Sequence, residues 1–249
     1  MDDSLHHLRR PGIACTPFCP GCGHGILLNT VLRAADALQI PERELLFVSG
    51  IGCAGWIPSP HFNADTLHTL HGRAIPFAVG AKRANPRLTT IVISGDGDLL
   101  SIGGNHLIHA AARNDDITVI CANNYVYGMT GGQTAPTSPQ GTRTSTHPQG
   151  TLHRPLDACA LARAAGASYV ARFPVSRPAA LAKAVERAVR TQGFSFVEAL
   201  SPCPTQYGRK NRLSSVVDLY EALDAACVFA DDEQDASSSA RQIVIGEFI

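Results

Sequence analysis

Two residues able to hold a hard metal ion stand twenty-eight positions apart, each closing an apolar run. Asp96 follows Leu88-Thr-Thr-Ile-Val-Ile-Ser94 within Gly95-Asp-Gly-Asp98, and Asn124 closes Ile117-Thr-Val-Ile-Cys-Ala-Asn-Asn124. A strand ending in a carboxylate, a returning helix and a second strand ending in an amide bring two oxygen ligands to one edge of a parallel sheet. That arrangement suits Mg²⁺ bridging a diphosphate. The glycines beside Asp96 let the backbone come close to phosphate oxygens. Gly-Asp-Gly by itself is also an ordinary strand-to-helix turn. The flanking strands and the Asn123-Asn124 ending favour a phosphorylated cofactor held through a metal.

The chain has eight cysteines, and four of them lie in Gly/Pro-rich turns. Cys19 and Cys22 form Cys-Pro-Gly-Cys ahead of Gly-His-Gly; Cys53 lies in Ser49-Gly-Ile-Gly-Cys-Ala-Gly-Trp56; Cys203 lies in Ser201-Pro-Cys-Pro-Thr205. A Cys-x-x-Cys admits three readings: a redox dithiol, half of a zinc site, or half of an iron–sulfur site. A structural zinc site usually adds a second Cys-x-x-Cys or a His pair, which the sequence lacks, so dispersed loop thiols favour a 4Fe–4S cluster. Cys121, Cys159 and Cys227 fall inside expected strands or helices and read as small buried hydrophobes, while Cys15 lies in the N-terminal segment. His106 and His109 sit one helical turn apart with no evident third ligand, and read as helix surface or core.

The elements that must position these groups are visible as apolar runs separated by helical patterns. Strands are expected near 45–49, 88–94, 117–122, 169–173 and 194–200. Helices are expected over 25–38, 73–83, 102–113, 155–165, 178–191 and 216–228. This alternation predicts an α/β fold, a mainly parallel sheet with helices on both faces. Two aperiodic stretches, 50–68 and 125–154, are long enough to be functional or partner-facing loops. The expected organisation is an N-terminal segment over 1–18, one domain over 19–229, and a linker and tail over 230–249 ending in a strand-like Gln242-Ile-Val-Ile-Gly-Glu-Phe-Ile249 that docks elsewhere.

Hydrophobic residues make up 45% of the 249, which is a globular composition, and 21 basic residues balance 21 acidic ones. That balance gives no reason to expect nucleic acid or an anionic membrane as partner. No apolar stretch reaches spanning length and the first residues are polar and acidic, so a cytoplasmic protein is expected.

Taken in order, Cys19-Pro-Gly-Cys-Gly-His-Gly25, Ser49-Gly-Ile-Gly-Cys53, Leu70-His-Gly-Arg-Ala74, Gly95-Asp-Gly-Asp98, Gly103-Gly-Asn-His106, Asn124-Tyr-Val-Tyr-Gly-Met-Thr-Gly-Gly-Gln133 and Ser201-Pro-Cys-Pro-Thr205 form a set that resembles the β subunit of 2-oxoacid:ferredoxin oxidoreductases. The resemblance runs from about Cys19 to about Leu223. It implies thiamine diphosphate as cofactor, with Asp96, the Asn124 side chain and the Val126 carbonyl as Mg²⁺ ligands. It also implies that Ile51, Gly52, Cys53, Ala54, Thr69, Leu70, His71, Gly72, Gly97, Asp98, Gly128 and Met129 line the cofactor. His71 is the implied catalytic residue, in contact with cofactor or substrate. Cys19, Cys22, Cys53 and Cys203 become ligands of one 4Fe–4S cluster.

The implied reaction is the CoA-dependent oxidative decarboxylation of a 2-oxoacid with electrons delivered to ferredoxin. An α subunit is implied as partner, since the carboxylate that activates the aminopyrimidine comes in this family from another subunit or domain. Cys203-Pro-Thr-Gln-Tyr-Gly-Arg-Lys-Asn211 is most similar to subunits acting on 2-oxoglutarate. Branched-chain or aromatic 2-oxoacids, and a non-redox thiamine diphosphate decarboxylase or carboligase, stay open as alternatives.

Overall fold

A computed structural model describes residues 8–13, 15–213, 215–229 and 242–248. The linker expected at 230–241 lies outside the described residues. The strands are β1 (Leu45–Ser49), β2 (Asp65–His68), β3 (Thr89–Gly95), β4 (Thr118–Asn123), β5 (Val126–Tyr127), β6 (Gln133–Thr134), β7 (Tyr169–Pro174), β8 (Ser195–Leu200), β9 (Cys227–Phe229) and β10 (Ile243–Glu247). The α-helices are α1 (Gly23–Ala37), α2 (Ala74–Ala84), α3 (Gly104–Ala112), α4 (Ala158–Ala164), α5 (Pro178–Arg190) and α6 (Val216–Ala226). None of the described helices is long and apolar enough to cross a membrane.

Eight strands form one sheet in the order β2-β1-β3-β4-β8-β7-β10-β9, parallel except where β10 runs antiparallel to β7. The strands β1, β4, β7 and β8 are buried along their whole length, as a parallel sheet covered on both faces requires. Alternate side chains of each strand enter different cores. Leu45, Phe47, Ile91, Ile93, Ile120 and Val197 pack with residues of α1 and α5. Leu46, Val48, Val92, Val119 and Phe196 pack with residues of α2, α3 and α4.

Several elements depart from the sequence expectation for local reasons. The stretch 50–68 contains the edge strand β2, paired with β1; Asp65-Thr-Leu-His68 has one aliphatic residue and so no hydrophobic signal. The stretch 125–154 holds the β5–β6 hairpin. The helix expected from 155 starts at Ala158, because the Asp157 side chain caps it by accepting from Ala160 N–H at 3.0 Å. A π-helical turn over Asp98–Ile102 precedes α3. Helix α6 ends at Ala226, so Cys227 begins a strand instead of lying in a helix, and it is half-buried. The C-terminal strand docks on this chain's own sheet, against β7 and β9.

From β1 the chain turns to β2 on one side, while β3 leads to β4 on the other. Beyond the carboxyl ends of β1 and β3 the connections therefore part and leave a crevice, the usual binding position in open α/β sheets.

Candidate active site

A cleft of about 620 Å³, measured to its mouth, opens at that crevice. The loop after β1 gives it Ile51, Gly52, Cys53 and Ala54; the turn after β3 gives Gly95, Asp96, Gly97 and Asp98. The chain beyond β4 supplies Asn124 and Val126 to Thr130, and His24 and His71 complete the wall. Of the residues expected at the cofactor, Thr69, Leu70 and Gly72 do not line the cleft. Thr69 is buried with its hydroxyl on the Ser49 carbonyl, Leu70 points outward at 70% exposure, and Gly72 supports the wall from behind.

Asp96 is 1% exposed. Burial pushes its carboxyl up from 3.8 to about 7, although the Thr137 hydroxyl and the N–H groups of Gly97, Asn124 and Asp96 itself donate to it. Beside it the backbone makes a tight double turn. Asn123 Oδ1 accepts from Tyr125 N–H at 3.0 Å and Asn124 Oδ1 from Val126 N–H at 3.1 Å, with Tyr125 held at φ 66°. The Asn124 oxygen keeps a second lone pair. A buried carboxylate that no described basic side chain pairs with, next to an amide oxygen, is a donor set for a hard divalent ion.

Asp98 is a hub rather than an open ligand. Its Oδ1 accepts from Gly72 N–H at 2.8 Å, from Ile51 N–H at 3.2 Å and from His71 Nδ1, while Oδ2 accepts from the Ser94 hydroxyl at 2.9 Å. One carboxylate thus ties together the loop after β1, the turn before α2 and the end of β3. With Nδ1 on the carboxylate, His71 keeps Nε2 unused by Asp98, as an acceptor when neutral and a donor when protonated. The Tyr127 ring stands edge-on to His71, 6.3 Å between centroids, and a Cβ at Gly97 would run into that ring.

The four loop cysteines are free and lie near enough to act on one another, with Cys53 in the wall of the cleft. The turn Cys22 N–H to Cys19 O, 2.9 Å, opens α1, and Gly23 N–H donates to the Pro202 carbonyl at 3.1 Å, which seats this turn beside Cys203. A side chain at Gly23 has no room, with Pro202 Cδ and Ser201 Cα both 2.9 Å from its Cβ position. From the Cβ position of Gly128, Cys53 Sγ is 3.5 Å away and Cys203 Sγ 4.0 Å. Gln206 N–H donates to Cys203 Sγ at 3.3 Å. Burial pushes the Cys22 thiol up to about 12 and raises Cys53 as well, and the neighbouring sulfurs add to both. Cys121 and Cys159 are buried inside the sheet and α4, away from this group, and Cys15 is exposed. Among the described residues no three His, Cys, Asp or Glu side chains are grouped to hold a single metal ion.

Sequence reasoning did not place Tyr127, Thr130, Thr137 or His24 among the site residues. Thr137 sits in an aperiodic Thr/Pro/Ser stretch where no pattern marks one hydroxyl above another. His24 is 1% exposed, with Nδ1 2.6 Å from Ser201 Oγ, and burial lowers it from 6.5 to about 4. Its place one residue beyond Cys22-Gly23 was the available signal.

Residues 50–199 match the family model of the C-terminal, thiamine pyrophosphate-binding domain of thiamine pyrophosphate enzymes. The chain is 46% identical to 2-oxoglutarate synthase subunit KorB of Methanothermobacter marburgensis, over 98% of this chain and 86% of that one. It is 44% identical to the subunit of the same name from Methanocaldococcus jannaschii, over 100% and 92%. With the 2-oxoacid:ferredoxin oxidoreductase β subunit of Saccharolobus solfataricus it shares 42% identity over 76% of this chain and 62% of that one. Among solved structures, 2-oxoglutarate:ferredoxin oxidoreductase from Magnetococcus marinus, with 2-oxoglutarate, coenzyme A and succinyl-CoA bound, superposes with a TM-score of 0.87 at 31% identity, covering 98% of this chain and 84% of that one. A thiamine pyrophosphate-binding fold carried at this identity over nearly the whole chain assigns it to the β subunits of the 2-oxoacid:ferredoxin oxidoreductases.

Proposed function

We propose that this chain, with a companion α subunit, converts 2-oxoglutarate, CoA and two oxidised ferredoxins into succinyl-CoA, CO₂, a proton and two reduced ferredoxins. The observation that carries the reading is Asp96, a buried carboxylate that lines the cleft beside Asn124 and makes no ion pair with any described basic side chain. Asp96, the Asn124 side chain and the Val126 carbonyl would hold Mg²⁺, and through it the diphosphate. When bound, thiamine diphosphate supplies the carbon nucleophile and electron sink for decarboxylating a 2-oxoacid.

The chain's own residues do the positioning. Gly97 keeps the floor open, and Asp98 fixes the tautomer and place of His71, whose Nε2 is left to exchange a proton with bound substrate. Among the described residues the carboxylates lining the cleft are Asp96 and Asp98, the latter filled by four donors, which agrees with the family resemblance in leaving the activating carboxylate for the aminopyrimidine to the companion subunit.

Cys19, Cys22, Cys53 and Cys203 would bind one 4Fe–4S cluster. Their sulfurs are neighbours without converging on one point, which suits several irons taking one thiolate each and not a single tetrahedral zinc. Burial of Cys22 and Cys53 disfavours lone thiolates there and leaves them to be stabilised by metal.

The test is anaerobic purification with the companion subunit, assay of iron, sulfide and thiamine diphosphate, and measurement of CoA-dependent dye reduction by 2-oxoglutarate. About four irons per chain and reduction specific for 2-oxoglutarate support the reading. Thiamine diphosphate without iron, and CO₂ release without dye reduction, would move it to a non-redox thiamine enzyme.

A further inference from the structure

A file of buried polar side chains leads away from Asp96 and crosses the sheet. The Thr137 hydroxyl bonds to Asp96 Oδ2 and lies 2.9 Å from Asn123 Oδ1. Asn123 Nδ2 donates to Glu198 Oε1 at 2.7 Å. Glu198 Oε2 accepts from Arg172 Nε at 2.6 Å. Arg172 Nη1 then donates to the Val244 carbonyl at 3.1 Å and Nη2 to Asp157 at 2.5 Å, with the Phe248 ring 5.8 Å from the guanidinium carbon. Apart from Thr137, which enters from the long loop, and Asp157, which caps α4, these groups come from β3, β4, β8, β7 and β10 or the ends of these strands, five successive neighbours in the sheet.

From Asp96 to Arg172 the file is nearly inaccessible, with Asp96, Thr137, Asn123 and Glu198 at most 3% exposed and Arg172 8%, while Asp157 at its end is exposed. A buried Glu–Arg pair is a poor way to gain stability, since apolar side chains of the same volume usually do as well or better. What such a pair supplies here is direction. It fixes Asn123, whose amide oxygen then competes with Asp96 for the Thr137 hydroxyl. That hydroxyl has one proton and two acceptors in reach, so its allegiance depends on both.

We propose that Glu198 and Arg172 are positioning residues for the cation-holding carboxylate, and that the C-terminal strand β10 holds them in register through the Val244 carbonyl and Phe248. The proposal rests on the reading that Asp96 holds Mg²⁺ with thiamine diphosphate. Outer partners of metal ligands typically change metal affinity about tenfold or more.

The experiment is calorimetric titration of Mg²⁺ into the metal-free complex of the chain with its companion subunit, at fixed thiamine diphosphate. It is run on the wild type, Glu198→Gln, Thr137→Val, the double variant, and a chain ending at residue 241. Glu198→Gln and Thr137→Val should each weaken Mg²⁺ about tenfold, and the double variant should weaken it by nearly the same factor, because either change breaks the same file. The shortened chain should show a similar loss with its iron content unchanged.

A merely structural role would lower thermal stability and leave the two Mg²⁺ effects independent, giving a double variant near a hundredfold; that result, or unmoved affinities, overturns the proposal. If the shortened chain does not fold, the four-way comparison decides alone. A wild type without Mg²⁺-dependent binding refutes the cofactor reading itself, and the proposal falls with it.

Discussion

Replacing Asp96 by Asn should make the cofactor-free chain more stable at alkaline pH and blind to Mg²⁺. In the folded chain burial holds this carboxyl at about 7, against 3.8 for the free group. The folded state thus binds the proton more tightly than the unfolded one. The corresponding stability is full below pH 3.8 and is lost as the pH rises through 7. A shift of about three units corresponds to roughly 4 kcal/mol by pH 8. Asn has the same shape and no ionisation. Its amide can donate to the Thr137 hydroxyl, which then serves Asn123 Oδ1 at 2.9 Å.

Thermal melting of both chains in EDTA at pH 4 and pH 8 reads the difference. At pH 8 the variant should gain roughly 3 to 5 kcal/mol, or about 10 °C in a chain of this size, and at pH 4 almost nothing. Adding Mg²⁺ and thiamine diphosphate at pH 8 should stabilise the wild type and leave the variant unmoved. An equal gain at both pH values would trace the effect to packing rather than ionisation. A variant less stable than wild type at pH 8 without metal would refute the claim that the carboxylate is buried uncompensated.

Gly97→Ala places a methyl where the Tyr127 ring lies, so the ring must leave His71; a loss of about 1–3 kcal/mol in melting and weaker thiamine diphosphate retention are expected. Asp98→Asn cannot accept from Ile51, Gly72, Ser94 and His71 together, and should cost about 2–4 kcal/mol while lowering kcat for dye reduction more than it changes KM for 2-oxoglutarate. Cys203→Ser should remove the iron and its absorbance while thiamine diphosphate is retained, whereas Cys121→Ser, inside β4, should leave the iron content unchanged.

The five buried parallel strands were legible because burial on both faces writes them as continuous apolar runs such as Thr90-Ile-Val-Ile93. Asp96 and Asn124 were legible for a related reason: each stands in the short polar ending of such a run, after Ser94-Gly95 and after Asn123. Edge elements lacked that signal. Asp65-Thr-Leu-His68 holds one aliphatic residue and joins β1 by its backbone and a His68 Nδ1–Ser49 Oγ bond of 2.9 Å, and β9, at the other edge, reads as the end of a helix.

Position beside the cleft was harder to read than presence near it. The run from Thr69 to Gly72 looks uniform in sequence, yet only His71 lines the cleft, because Thr69 and Gly72 spend their donors on Ser49 and Asp98. Asp98 looks like a second metal ligand two residues from Asp96, and its separation from that role comes from three segments far apart in sequence that deliver donors to it. A carboxylate's role in this site is set by which segments its donors tie together. Asp98, with four donors, organises the wall. Asp96 takes one hydroxyl and three backbone N–H groups, its own included, and burial still pushes its carboxyl up to about 7, a demand that a cation would meet.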